Sequence, residues 1–197
     1  MTGPRVHLFI DYQNVHLSAH ERFAPLGTPF QQTQIHPALF ADVVAARRTL
    51  AGLSGEPAEI HVFRGLPSPR KQPRIAAVAQ AQAVEWSQDE RVRMNLRALR
   101  YPRDWPRTPA QEKGVDVWLV CEFFEHAVEQ RADVLILASC DSDLLPVLEK
   151  VRTRGKVRIE VVTWDKCSRL RFTDGASLWC TYLDAADFAR SIDPRQY

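Results

Sequence analysis

Residues Leu135 to Pro146 read LILASCDSDLLP. An apolar run ends abruptly in two aspartates one residue apart, Asp141 and Asp143, and the chain then turns apolar again. The run DVLILAS (133–139) is too short for a core helix and rich in branched residues, which predicts a buried strand. LLPVLEKVRTRG (144–155) predicts a helix closed by glycine, and VRIEVVTW (157–164) a second buried strand. A strand, a helix and a strand within about thirty residues make the unit from which parallel sheets are built.

The same alternation runs through the rest of the chain. RVHLFID (5–11), AEIHVFRG (58–65) and VRMNLRALRYP (92–102) predict strands. Pro37 to Leu50, PRIAAVAQAQAVEWS (73–87) and VDVWLVCEFFEHAVEQ (115–130) predict helices, the first opened by proline and ended before Gly52. The polar stretch 16–36 predicts a long loop on the substrate side. The tail, SLWCTYLDAADFAR, predicts a short strand and a helical turn. The expected fold class is α/β, a three-layer Rossmann-like arrangement with a mostly parallel central sheet. In such sheets ligands bind beyond the carboxyl ends of the strands, where strand order reverses. Asp11 and Asp141 both fall at strand ends.

With 197 residues, 45% of them hydrophobic, the chain can bury one good core, and residues 1–197 are expected to form a single domain. No apolar stretch reaches the roughly 18 residues of a membrane span. The opening MTGPRVHLFID lacks the features of a signal peptide. Four separated cysteines, with no CxxC pair, fit free thiols in a reducing compartment, so the expected location is cytoplasmic and without membrane contact. Charge is segregated: residues 64–107 hold ten Lys/Arg against four Asp/Glu, and 150–171 hold eight against two. The remainder is acidic although the net charge is only +2. Solvated surface explains this as well as an acidic centre flanked by basic surface, but only the second suits a polyanionic substrate.

Each aspartate has a bland explanation. Ser142 or Asp143 could cap the following helix, which leaves Asp141 unexplained. Asp11, in FIDYQN, could be a turn residue bonding its own backbone, with Asn14 a further small polar group on that edge. Asp116 is expected on the apolar face of its helix with Leu119, Phe123 and Ala127, where Lys113 or an arginine could neutralise it. Trp118 could face solvent or fill a gap against the tail. Taken together, the four carboxylates present a problem: a pair about 5 Å apart repels by about 3 kcal/mol at an effective dielectric of 20. A divalent cation removes it, and all-oxygen ligands suit Mg²⁺ or Mn²⁺.

FIDYQN after the first strand, KGVD opening a helix and SCDSD before LLPVLEKVRTRGK resemble the NYN domain, a PIN-like nuclease domain that includes LabA-like bacterial proteins. The resemblance spans residues 5–164, with the tail 165–197 expected to pack on that domain. It implies a metal-dependent ribonuclease that hydrolyses phosphodiester bonds of single-stranded RNA in RNA processing or decay, as an endoribonuclease. It implies acidic catalytic and metal-site residues at Asp11, Asp116, Asp141 and Asp143, with Asn14 and Ser139 as polar companions. It departs from the family at Cys140, where glycine is usual. Arg64, Arg70, Lys71 and Arg74, in the loop FRGLPSPRKQPR after the second strand, are candidates to hold RNA backbone. The competing reading is a non-catalytic RNA-binding or regulatory module on the same fold. A sheet edge or the Trp118 face could support a homodimer.

Overall fold

The computed structural model describes residues 3–197; Met1 and Thr2 of the expected 1–197 domain lie outside it. The strands are β1 (Val6–Asp11), β2 (Pro57–Leu66), β3 (Val92–Ala98), β4 (Val134–Ala138), β5 (Arg158–Trp164) and β6 (Trp179–Leu183). They form one six-stranded sheet in the order β3-β2-β1-β4-β5-β6, and every pairing is parallel. The helices are α1 (Tyr12–Phe23), α2 (Pro37–Leu50), α3 (Pro73–Trp86), α4 (Val115–Val128), α5 (Leu145–Arg154) and α6 (Ala185–Ser191).

Two apolar cores cover the two faces of the sheet. Val6, Leu8 and Ile10 of β1 pack with α1, α2 and α6. Phe9 points the other way, with Leu135 and Leu137 of β4, onto α4 and α5. Burial on both faces is why β1 and β4 read as unbroken apolar runs without alternation. By the period-2 rule, His7, Phe9 and Asp11 share the α4 face of β1, and Glu59, His61, Phe63 and Gly65 share the same face of β2. On the opposite face one charge pair is sealed in: Arg48 of α2 donates from Nε to Glu160 Oε2 of β5 at 2.7 Å, with both residues 1% exposed.

The main difference from the sequence expectation is α1. The stretch from residue 16, expected as part of a loop, lies within a helix that begins at Tyr12, followed by a 3-10 turn at Phe30–Thr33. The buried stripe of α1 is Tyr12, Val15, His16 and Ala19, at i, i+3, i+4 and i+7. Two of the four are polar-tipped rings, so the helical period is hidden from a hydropathy reading. β3 ends at Ala98 rather than running to 102. Gly155 closes α5 with extended backbone (φ −89°), not as a left-handed cap. The tail adds β6 to the sheet beside β5, and Arg47 of α2 donates to Asp187 in α6 at 2.7 Å.

Candidate active site

The sheet changes direction between β1 and β4: the chain moves outward from β1 through β2 to β3, then returns to the other side of β1. Asp11 is the last residue of β1, and Ser139 follows directly on the end of β4. Asp11 is buried. Its carboxylate accepts Ser139 Oγ–H at 3.0 Å and the Asn14 amide at 3.4 Å, so it also caps α1. Burial nevertheless dominates those two bonds and pushes its pKa up to about 7, with Asp116 and Glu112 adding like charge.

Cys140 occupies ordinary backbone space, since the non-glycine residues with positive φ among those described are Gln130 and Lys166. The turn therefore needs no glycine there, and Asn14 Oδ1 accepts the Cys140 amide at 3.0 Å, which ties α1 to the end of β4. Asp141 comes next. It accepts the Asp143 amide at 2.9 Å and caps the 3-10 turn Ser142–Leu144 that leads into α5. The capping role expected of Ser142 or Asp143 therefore belongs to Asp141.

Asp116 enters from the opposite side, in the first turn of α4. Gly114, with φ +75°, sets the left-handed bend that starts this helix, a conformation open to glycine at no steric cost. The expectation that Asp116 is buried on the apolar face is not met: Leu119, Phe123 and Ala127 are buried, whereas Asp116 stands exposed at the helix mouth. Its pKa is raised by partial desolvation and then by Asp141 and Asp143, with no cation contributing. Trp118 is half-buried: it packs edge-on against Phe63 of β2 at 5.9 Å, and its Nε1 donates to Glu122 Oε1 at 3.1 Å.

Asp11, Asp116 and Asp141 open together onto a cavity of about 280 Å³, whose wall includes Asn14, Ser18 and Glu21. Asp143 is exposed beyond it and acts on Asp116 through its charge. Glu112 was not anticipated from the sequence. Its Oε1 accepts the Gly65 amide at 2.6 Å, its pKa is raised by burial and then by Asp116, and it lines a neighbouring cavity of about 210 Å³. Gly65 makes this approach feasible, since a Cβ there would lie 2.3 Å from Leu99 and 2.6 Å from Glu112 Oε1.

The basic candidates divide. Arg64 is not in a loop: it lies in β2 on the α1 face, bonded to Gln82 Oε1 at 2.8 Å and stacked over Tyr12 at 4.8 Å. Arg70, Lys71 and Arg74 are exposed beyond the carboxyl end of β2, on the edge that carries the aspartates. Lys71 Nζ sits over the rings of Tyr101 and Trp105 at 4.9 and 5.2 Å.

A second constellation escaped the sequence reading altogether. His7, Glu59, His61 and His126 bring one ligand atom each within 4.8 Å of one another. They lie under the far end of α4, towards the amino ends of the strands. The signal in the sequence was a lone histidine in each of two buried strands, RVHLFID and AEIHVFRG.

The chain matches the NYN domain family over residues 5–174, which is most of its length. The chain belongs to the NYN domain family. The match runs ten residues past the boundary expected from the motifs, to 174 instead of 164, and takes in the segment from Asp165 to Asp174 after β5. An NYN domain has a PIN-like nuclease fold, and the six-stranded parallel sheet flanked by helices is that architecture. A crystal structure of a protein of unknown function from Vibrio parahaemolyticus is similar, with a TM-score of 0.57 over 92% of this chain and 93% of that one. At 16% identity this likeness concerns the fold alone. No curated protein matches the chain significantly. No helix is long and apolar enough to cross a membrane.

Proposed function

We propose that this NYN domain, acting as a single unit over residues 1–197, is a divalent-metal-dependent ribonuclease. It cleaves single-stranded RNA during processing or decay in the cytoplasm. The observation that carries this reading is the meeting of Asp11, Asp116 and Asp141 on one cavity at the reversal point of the sheet. Two of these carboxyls have raised pKa values, first through burial and then through the like charges beside them.

The donor set fits Mg²⁺ or Mn²⁺: the carboxylates of Asp11, Asp116 and Asp141 are all-oxygen, with that of Asp143 nearby. Such an ion, when bound, lowers the pKa of water and stabilises charge on a phosphoryl group. The protein's own groups do the remaining work. Ser139 and the Asn14 amide fix the orientation of Asp11. Asn14 and Asp141 fix the turn that carries the acidic pair. Asp116, exposed at the mouth of the cavity, is the group suited to orient the attacking water and to accept its proton on an oxygen that the ion does not hold. Water oxygen bonds to phosphorus, the ester oxygen leaves with the RNA fragment, and a proton returns to that oxygen. Arg70, Lys71 and Arg74 hold the flanking backbone. Arg64 is removed from that role because its guanidinium is engaged in the α1–α3 packing.

End-labelled single-stranded RNA incubated with wild type, Asp11→Asn and Asp116→Asn, in Mg²⁺, Mn²⁺ or EDTA, tests this. Wild type should cleave only with metal, and both variants should be inactive while folded. Wild type that retains RNA without cleaving it supports the alternative, a non-catalytic RNA-binding module.

A further inference from the structure

The constellation at the opposite end of α4 has the makings of a site in its own right. Asp11 and His7 are four residues apart on β1, about 13 Å at the rise of a strand. Asp116 and His126 are ten apart on α4, about 15 Å at the rise of a helix. The two groups are therefore separate.

The four side chains converge from three elements on one point, with their ligand atoms all within 4.8 Å of one another. His7 Nδ1 and His126 Nδ1 face each other at 3.0 Å, and Glu59 Oε2 lies 2.9 Å from His61 Nε2 and 3.7 Å from His7 Nδ1. A tetrahedral centre with bonds of about 2.0–2.1 Å has ligand-to-ligand edges of about 3.3 Å; these three distances bracket that length, and the remaining pairs, within 4.8 Å, close to it when the side chains draw in around an ion. The rings cannot reach this arrangement by chance surface motion. His7, His61 and His126 are 6%, 7% and 2% exposed, held between β1, β2 and α4, with His61 stacked on Phe9 at 4.7 Å. Glu59 is the outer member and the one carboxylate.

The surroundings favour neutral imidazole, the form that binds metal. Burial is the first cause lowering the pKa of all three histidines, and it takes His126 down to about 4. Arg5, Arg93 and Arg131 border the same opening, a cavity of about 610 Å³, but each is engaged elsewhere. Arg131 is paired with Glu125 and Glu129, Arg5 with Asp133, and Arg93 with backbone carbonyls of Glu90 and Val92. Two of the three guanidiniums are thus matched by carboxylates of their own, while Arg93 keeps its charge at the rim, where it acts on His61 and helps to lower its pKa. Three nitrogens and one carboxylate oxygen suit Zn²⁺ and other later transition ions, whereas the all-oxygen aspartate site suits Mg²⁺ or Mn²⁺.

We propose that His7, Glu59, His61 and His126 form a second, structural metal site that takes one Zn²⁺ and fastens the carboxyl-terminal end of α4 to β1 and β2. Since α4 carries Asp116 at its other end, occupancy of this site would steady the helix that supplies a carboxylate to the cavity at the reversal point.

The test is metal binding by the full chain, stripped with EDTA and dialysed. The background is the double variant Asp11→Asn/Asp116→Asn, which disables the aspartate cavity. Titrated with Zn²⁺, it should bind one ion per chain and melt at a higher temperature. Titrated with Co²⁺, it should show the visible bands of a tetrahedral nitrogen–oxygen site, without the thiolate charge-transfer bands that binding to cysteine would give. Adding Glu59→Gln, at a half-exposed position that should not disturb folding, should weaken Zn²⁺ binding by at least the roughly tenfold that even an outer partner commands. His126→Ala should abolish the cobalt bands, with circular dichroism confirming its fold. A background protein that binds no Zn²⁺, shows only octahedral or thiolate cobalt spectra, or binds as tightly after Glu59→Gln overturns the site.

Discussion

Ser139 donates its hydroxyl to Asp11 Oδ2 at 3.0 Å, across the junction of β1 and β4 where the sheet reverses. The same hydroxyl oxygen accepts the Asp141 amide at 3.1 Å. One small side chain thus links the deepest carboxylate of the candidate site to the turn that carries the next.

Removing that hydroxyl should shift the acidic limb of the pH profile. The bond from Ser139 favours ionised Asp11 and works against the burial that raises its pKa to about 7. A hydrogen bond to a charged group contributes about 1.5 kcal/mol or more, so Ser139→Ala should move the rise of Mn²⁺-dependent cleavage upward by about one pH unit. An unmoved profile would detach Asp11 from the rate.

Asp11 also fixes the sign of a stability effect. Its pKa is about 7 in the folded chain and 3.8 in the reference state. The folded protein therefore holds a proton that the unfolded chain has lost, and stability from this group falls as pH rises between about 4 and 7. Asp11→Asn should remove that part of the slope. Denaturant titrations of both proteins across that window in EDTA check it. Mn²⁺ binding, measured calorimetrically, should release protons below pH 7 and tighten as pH rises.

Asp116→Asn separates a metal-site role from a structural one. Asp116 faces Asp141 and Asp143 with no cation among the charges acting on it, so neutralising it should leave the metal-free protein as stable as wild type or slightly more so. Cleavage should fall by orders of magnitude, and the gain in melting temperature on adding Mg²⁺ should shrink. A large loss of stability without metal would instead mean that a buried pair had been broken.

Arg48 and Glu160 supply the contrasting case. They form a two-pronged pair at 2.7 and 3.2 Å, both 1% exposed, and Arg158 Nε also reaches Glu160 at 3.0 Å. Arg48→Ala leaves Glu160 buried with a weaker partner and should cost about 3–5 kcal/mol in urea unfolding. RNA cleavage by the folded fraction should be unaffected, since Arg48, bonded to the carbonyls of Ser54 and Gly55 ahead of β2, lies towards the amino ends of the strands, away from the cavity.

The basic segment after β2 predicts a salt dependence. Each phosphate contact to a single strand contributes a slope of about −0.7 in log affinity against log salt. Replacing Arg70 and Lys71 together with alanine should flatten the slope by about one to one and a half, whereas Arg64→Ala should act mainly on stability. Equal slopes for wild type and the double variant would take this segment off the RNA path.

The sequence by itself determined the alternation of strands and helices, the parallel sheet and the family, because buried strands and helix boundaries are written in local composition. It also marked the strand-end positions of Asp11 and Asp141, since each polar residue ends an apolar run. It did not reveal α1, whose inward stripe uses Tyr12 and His16, polar in composition but apolar in the faces they bury. It misjudged Asp116, because a helical wheel gives direction but not depth, and the first turn of α4 projects past the core. Arg64 was misplaced although the strand 58–65 already contained it, because local composition does not say which helices cover the face its side chain meets, here α1 and α3. The His7–Glu59–His61–His126 cluster lay beyond any local reading. Its members are separated by up to 119 positions, and only the pairing of β1 with β2 and the crossing of α4 over both bring their ligand atoms together.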